Sequence, residues 1–526
     1  MRLRAPGLLA AVFLAVALCP LAPVGAEDDP IAPAEPLLPS TDGDQVLQLS
    51  LARALAMGAE ANLGLDIASY DAPIAWQGRV AADAMFDTLL TAGITASHIE
   101  TPSTSAFLGT GTIDEDNVNA QVGLSRMLRS GGSISLLYRA DRLNSNSPFA
   151  TVNPAISNGL SLEASHPLMR GAGDVALADV RRAQNNVVAA KAGYRTEVEA
   201  TLLAIAETYW ELVFADANLD ARRKSEEVAR ELLDNANARL KAEVGTPLDV
   251  AEARAGVERR VSEVLDAENL RESVEDNLLA LILPFGPEVR AEIRVNPTDL
   301  PAQATTTLPS KSDEQRYVDL AIQGRPEMLI RKAEIATAGI DVKVAQDAIR
   351  PQLDVIGRVS TDGLDDVFGN SVSRMFEGQA VSGTIGLQFS LFLGQRAARA
   401  QWLAAAWRRR QAKLRERDLT NVIVVEVRSA LRDLDTARGQ IGAGEAEVKA
   451  GEEGLRGERL KLDNGKSTPF RVLQKEEDLT NARTRLSRAR ADLSIAEARL
   501  YRAVGTMAER FSIDASKWEE CCGHGR

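Results

Sequence analysis

The chain has 526 residues, a net charge of −13, 26% charged side chains and only 4% aromatics. An acidic surface repels a phosphate backbone, and no Lys/Arg cluster with interleaved aromatics offsets it, so nucleic acid is excluded as a partner. Three histidines (His98, His166 and His524), none at ligand spacing with another, and three cysteines exclude a metal centre or a disulfide framework as the organising principle.

Residues 1–26 read as a signal peptide. Arg2 and Arg4 precede an apolar core, LLAAVFLAVAL, and Val24-Gly25-Ala26 forms a small-residue cleavage site. Cys19 follows Leu18 and precedes Pro20, whereas a lipoprotein signal needs a small residue before its cysteine, so no acyl anchor is expected. Residues 27–44 are a Pro/Asp-rich leader. Beyond Ala26 no apolar run approaches the roughly 18–20 residues of a spanning helix, so any membrane insertion must use strands.

A first repeat occupies residues 45–283. Helical periodicity is expected from Gln45 to about Met85. VAADAMFDTLLTAG (80–93) returns in altered form as VAQDAIRPQLDVIG (344–357), and LEASHPL (162–168) as LQFSLFL (387–393), which makes the chain a duplication rather than a short-period solenoid. The strands alternate. Leu160, Leu162, Ala164, His166 and Leu168 lie on one face, with Ser161, Glu163 and Ser165 on the other. Ile385, Leu387, Phe389, Leu391 and Leu393 alternate with Gly386, Gln388 and Ser390. Such strands fit a barrel with lipid outside and water inside, and equally a half-exposed sheet on a soluble core. The first half is longer between its landmarks. Its surplus, within 119–142, reads as an extra hairpin turning at 129–132 that either adds strands or lengthens a loop.

GAGDVA (171–176) opens a helix after a strand, the start of a dinucleotide-binding pattern, but no second parallel strand follows. The glycines are expected to ease a strand-to-helix bend. From Gly171 to about Ala242 one helix of roughly 105 Å is predicted at 1.5 Å per residue, with Leu202, Ile205, Tyr209, Leu212 and Val213 along its seam. Pro247 to Leu283 is half that length. Residues 284–315, rich in Pro and Thr, link the halves. The second repeat, 316–507, gives a half-length helix to Ile349, a full-length one over 397–462 and a half-length one over 469–504. Helices this long need partners along their whole length. The tail, 508–526, carries Cys521 and Cys522 beside His524, a weak metal-binding possibility at most in what reads as a disordered segment.

Both helix breaks share a turn. In GTPLDV, Gly245 is expected to take the left-handed conformation, Thr246 to cap the next helix, Pro247 to occupy its first position and Asp249 to complete a capping box. In NGKSTPFRV the same order returns with Gly465, Thr468 and Pro469. A constant offset superposes Thr246 on Thr468 and Pro247 on Pro469, but sets Glu243, not Gly245, against Gly465. No nucleophile elbow, P-loop or zincin helix appears, and the many carboxylates lie beside Arg and Lys on helix faces, so no catalytic residue and no cofactor is expected.

Together SLEASHPLMRGAG, GTPLDVAEA, NGKSTPFRVLQ and RPEMLIRKAEIATAGIDVKVAQDAIRPQLDV, in this order and spacing over residues 45–504, resemble the outer membrane efflux proteins, the TolC-like export ducts. The resemblance implies a mainly α fold with a membrane β-barrel. Long coiled-coil hairpins form a periplasmic tunnel, and each copy of a homotrimer gives four strands to one shared barrel in the outer membrane. Residues 284–315 would belong to an equatorial region. It further implies a passive exit duct of a tripartite efflux pump or type I secretion system, working with a periplasmic adaptor and an inner-membrane transporter. The two turns would form the periplasmic tip. There the family's paired acidic residues after the second turn are replaced by Arg471 and Gln474, while Asp249 and Glu252 follow the first, which puts a strongly cation-selective ring in doubt. A soluble periplasmic coiled-coil adaptor or scaffold is the alternative, disfavoured by the repeated two-faced strands.

Overall fold

The computed structural model describes residues 45–102, 111–147, 149–283, 293–301 and 313–514. The signal peptide, the leader, most of the 284–315 link and the cysteine tail lie outside them. In chain order the elements are β1 (Gln45–Leu49), α1 (Leu51–Ala61), α2 (Leu63–Ser69), α3 (Asp71–Asp83), β2 (Thr88–Pro102), β3 (Thr112–Met127), β4 (Ser133–Ser145) and β5 (Ala155–Pro167). Then follow α4 (Ala178–Lys241), α5 (Pro247–Ile282), β6 (Ile293–Pro297), α6 (Glu314–Gly324), α7 (Pro326–Asp347), β7 (Gln352–Asp365) and α8 (Phe368–Phe376). The chain continues with β8 (Ala380–Ser390), α9 (Arg396–Asp463), α10 (Pro469–Val504) and α11 (Met507–Arg510). The chain divides into two compact units.

One unit holds Gln77–Asn185 and Ala336–Arg410. Its centre is a six-stranded antiparallel sheet in the order β2-β3-β4-β5-β7-β8. This corrects the expected four strands: the surplus hairpin turns where predicted, and β3 and β4 enter the sheet as full members, each hydrogen-bonded on both sides. β8 also stops at Ser390, short of the predicted run to Leu393, and Gln395 reaches back to the Ile349 carbonyl at 2.9 Å. The long helix begins at Ala178 rather than Gly171. Gly171 (φ 86) and Gly173 (φ 67) are left-handed, and the Gly171 N–H donates to the Asp347 carboxylate at 2.6 Å, so the bend is anchored rather than helical. A short helix absent from the sequence reading, α8, packs on the face shared by Asn158, Thr361 and Gly363, through Ser371 and Met375, both buried.

The other unit holds Ser40–Trp76, Asn186–Ile335 and Gln411–Arg526. The predicted start of the first helix is a strand: β1 pairs in parallel with β6, Gln45 opposite Ile293 through Leu49 opposite Pro297. Ser50 then caps α1, accepting from the Arg53 N–H at 3.3 Å. Asn62 breaks the helix again, accepting from the Leu65 N–H while donating to the Leu281 carbonyl at 2.9 Å. Tyr209 of α4 fastens this small sheet. Its buried hydroxyl donates to the Leu49 carbonyl at 3.0 Å and accepts from the Asp299 N–H at 3.2 Å, and burial pushes its pKa up to about 12.

The helices alternate in length as expected: α4 and α9 have 64 and 68 residues, α5 and α10 have 36 each. Along α9, Ile423, Val427, Ala430, Leu434, Ala437 and Ile441 are buried at alternating steps of four and three, the seam of a coiled coil. Leu486, Ala489, Leu493, Ala496 and Leu500 of α10 answer them at the same steps. The seam then meets Gly444 and Gly451. A Cβ at either would sit 3.3 Å and 3.2 Å from Leu486 and Leu479, so the glycines are the holes into which those leucines fit.

Candidate functional site: the paired helix turns

The first turn closes α4 on Glu243, which is left-handed at φ 57, while the N–H groups of Val244 and Gly245 donate to the Arg239 carbonyl at 3.0 and 3.1 Å. This corrects the expectation for Gly245. It is not the left-handed residue; a Cβ there would lie 3.2 Å from Arg239 Cβ, so glycine serves the close approach instead. In the second turn the left-handed residue is Gly465 (φ 71), the position that superposes on Glu243. A side chain in this conformation costs about 1 kcal/mol relative to glycine. Glu243→Gly is therefore expected to stabilise the first turn by about that amount, seen as slower amide exchange at residues 242–246; unchanged exchange would mean the strain is relieved elsewhere.

Thr246 and Asp249 form the full capping box. The Asp249 N–H donates to Thr246 Oγ1 at 3.2 Å, and the Thr246 N–H and hydroxyl reach Asp249 Oδ2 at 2.9 and 2.8 Å. The Thr246 amide, then its hydroxyl, hold the Asp249 carboxyl below the usual carboxylate range. A depressed carboxyl stabilises the folded turn above its unfolded pKa, about 3.9, and the gain is lost as pH falls through the lower folded value. Exchange protection of the Thr246 amide should therefore hold at pH 6 and fall below about pH 4, and Asp249→Asn should remove that dependence.

The second turn is built differently. Thr468 stands at the N-cap but its side chain makes no capping bond, and Arg471, three residues on, has no acceptor to return one, so the reciprocal capping box of the first turn is absent. Glu458, nearly buried in α9, ties down the loop just before that cap: it accepts from the Ser467 hydroxyl and from Lys461 at 3.0 Å, and both hold its carboxyl below the ordinary range. Pro247 and Pro469 each open their helix as predicted.

The two turns, over two hundred residues apart in sequence, share one cluster: Leu232, Val257, Leu462, Val472 and Leu473 pack together. Arg239 donates to the Leu462 carbonyl at 3.4 Å, and buried Arg260 reaches Glu477 at 3.2 Å. Gly256 lets α10 approach, since a Cβ there would meet Leu473 at 2.8 Å. Asp249 and Glu252 share one face of α5 and are half-exposed; Arg471 and Gln474 share one face of α10 and are exposed. Val244, Leu248 and Phe470 stand exposed at the same turns, 69%, 65% and 51%, more apolar surface than a turn needs to fold.

One further cluster was invisible in the sequence because strand pairing makes it. His98 on β2 lies 2.9 Å from Asp116, 3.3 Å from Asp114 and 3.4 Å from Glu100, all exposed. Among the described residues no helix is long and apolar enough to cross a membrane.

The chain thus combines long helical hairpins that meet in paired turns with a two-faced antiparallel sheet. The sequence model of the outer membrane efflux proteins matches residues 112–282 and 317–506, and the chain belongs to that family. Its role is that of an efflux duct in the outer membrane, with a large periplasmic part. The outer membrane efflux protein BepC of Brucella suis biovar 1 (strain 1330) is 24% identical over 349 residues, 65% of this chain and 71% of that protein. The fold matches the CmeC outer membrane channel of Campylobacter jejuni (TM-score 0.64, 15% identity, 89% of this chain and 88% of that one). It also matches the outer membrane protein VceC of Vibrio cholerae (TM-score 0.62, 18% identity, 86% and 96%).

Proposed function

We propose that three copies of this chain form a passive outer-membrane duct whose periplasmic mouth is the pair of helix turns. A periplasmic adaptor docks on those turns, and an inner-membrane transporter supplies the energy. The signal peptide is cleaved after Ala26 and the mature chain keeps its two repeats, 45–283 and 316–507, about the 284–315 link. The observation that carries this reading is the single cluster joining both turns, with Val244, Leu248 and Phe470 left exposed as the adaptor's footing and charged side chains set around them. Asp249, Glu252, Arg471 and Gln474 line the mouth. Of the three charged side chains Asp249 is already committed to its capping box and Glu252 is half-exposed, whereas Arg471 is exposed.

Rings of charge set ion selectivity in a narrow pore. Arg471→Asp would change the charge of a trimeric ring by six. In planar bilayers under a salt gradient, the variant should move the reversal potential toward cation selectivity; an unchanged potential would place Arg471 outside the lumen. Native mass of the detergent-extracted outer-membrane fraction tests the assembly. Three mature chains support the duct, whereas a monomer in the soluble periplasm would overturn it.

A further inference from the structure

The width of the barrel follows from how β3 and β4 sit in the sheet. The register carries one row across five strands: Leu90 opposite Leu124, Leu124 opposite Leu136, Leu136 opposite Leu162, and Leu162 opposite Val359. All five lie on one face, and each is between 38% and 57% exposed. On the other face the row Thr95, Asn119, Asp141, Ser157 is polar throughout, with Asn119 donating to Asp141. The surplus hairpin thus presents its apolar residues level with those of β2, β5 and β7, and its polar residues level with theirs. A hairpin projecting as a surface loop has no physical reason to keep that level; a strand pair in a wall between lipid and water must.

The sheet is open at β2 and β8, strands of 15 and 11 residues, each hydrogen-bonded along one side only. Such edges cannot face hydrocarbon unpaired. Six is an even number, so the two edges run antiparallel to each other, and both alternate apolar and polar in the same sense: Leu90 and Ile94 on β2 share a face with Ile385 and Leu387 on β8. The partner that fits both edges at once is another copy of this chain.

We infer that every copy contributes six strands to the wall, β8 of one against β2 of the next, so that the trimer closes an eighteen-stranded barrel in place of the twelve strands that four per copy would give. The count of eighteen rests on the trimeric reading; six per copy does not. With strands about 4.8 Å apart and tilted about 40°, eighteen close a ring about 36 Å across at the backbone, against about 24 Å for twelve. The outer-membrane mouth of this duct is therefore of general-porin width and passes bulkier cargo than a twelve-stranded wall would.

Single cysteines test the hairpin's place, in a chain whose Cys521 and Cys522 are changed to serine. Ser135→Cys and Leu136→Cys probe β4; Ser161→Cys and Leu162→Cys probe β5 as the control. In proteoliposomes, a membrane-impermeant maleimide should label Ser135→Cys at least tenfold faster than Leu136→Cys, and detergent should abolish the difference. If Leu136→Cys labels as fast as Ser135→Cys while the β5 pair still alternates, the hairpin lies outside the wall and the inference is overturned. If the β5 pair also fails to alternate, the membrane-barrel reading itself falls, and this inference with it. Particle images of the extracted trimer then give the count: eighteen staves support the inference and twelve overturn it.

Discussion

Arg325→Ala is expected to destabilise the helical unit by about 3 kcal/mol, the lower end of the cost of breaking a buried ion pair. Arg325 ends α6, and its side chain is only 4% exposed. It binds Glu327 at 2.8 Å and also Glu426, while Glu327 takes a second arginine, Arg502, at 3.1 Å. Burial pushes the Glu327 carboxyl up, and Arg325 overcomes it, leaving the group below the ordinary range. Without Arg325 that carboxylate keeps one partner in a site that penalises charge. Glu426 is 43% exposed and can recover water, which keeps the loss from reaching the top of the range. The measurement is the thermal or urea transition of the purified protein. Arg325→Lys, which keeps the charge but loses the planar fork, should recover only part, and Glu327→Gln in the Arg325→Ala background should recover part by removing the stranded charge. A transition equal to that of the parent would show that the network is solvated and of no consequence.

That network marks where sequence reading ends. The long helices were legible because their seams repeat at three and four residues over dozens of positions, and Leu202, Ile205, Tyr209 and Leu212 are buried as that period requires. The strands were legible by alternation, and the hairpin turn at 129–132 by its glycines. What escaped depends on partners far along the chain. Gln45–Leu49 reads as helix by composition and becomes a strand because Ile293–Pro297 lies beside it. Asn62 looks like any helix residue until the Leu281 carbonyl meets its amide. At the turns, glycine drew attention to position 245, whereas the offset between repeats already set Glu243 against Gly465. Chain geometry rather than residue preference decided which of the two became left-handed. Arg471 cannot complete a capping box, and the second turn is held instead by Glu458, ten residues upstream of Thr468, which accepts from the Ser467 hydroxyl. The fold was therefore readable wherever a period carried it, and the candidate site only where its chemistry was local.

Gly363→Val is expected to release α8 from the sheet. A Cβ at Gly363 would stand 2.2 Å from the Ser371 carbonyl oxygen and 2.5 Å from the Met375 nitrogen. Those are backbone atoms, so no rotamer relieves the clash and the helix must move. Its attachment is compact: Ser371 donates to the Gly363 carbonyl at 2.7 Å, Thr361 to the Met375 carbonyl at 2.6 Å, and Asn158 to Ser371 at 3.0 Å. Asn158 in turn accepts from the Tyr138 hydroxyl at 2.6 Å, so the contact reaches back to β4. Three hydrogen bonds at about 1 kcal/mol each, with the burial of Met375 at about 2 kcal/mol more, exceed what a nine-residue helix retains alone. Arg374 is held by Asp365 at 2.7 Å in the parent, and a helix docked on a sheet resists a protease that needs extended chain. Trypsin should therefore cut after Arg374 in the valine variant at least tenfold faster than in the parent, while cleavage in the helical unit stays the same. Gly363→Ala should already show most of the effect, because the first carbon beyond Cα makes the collision. Equal cleavage in all three would mean that β7 yields instead of α8, and the strand pairing of β7 with β5, from Ile156–Asp365 to Pro167–Asp354, would then be the softer element.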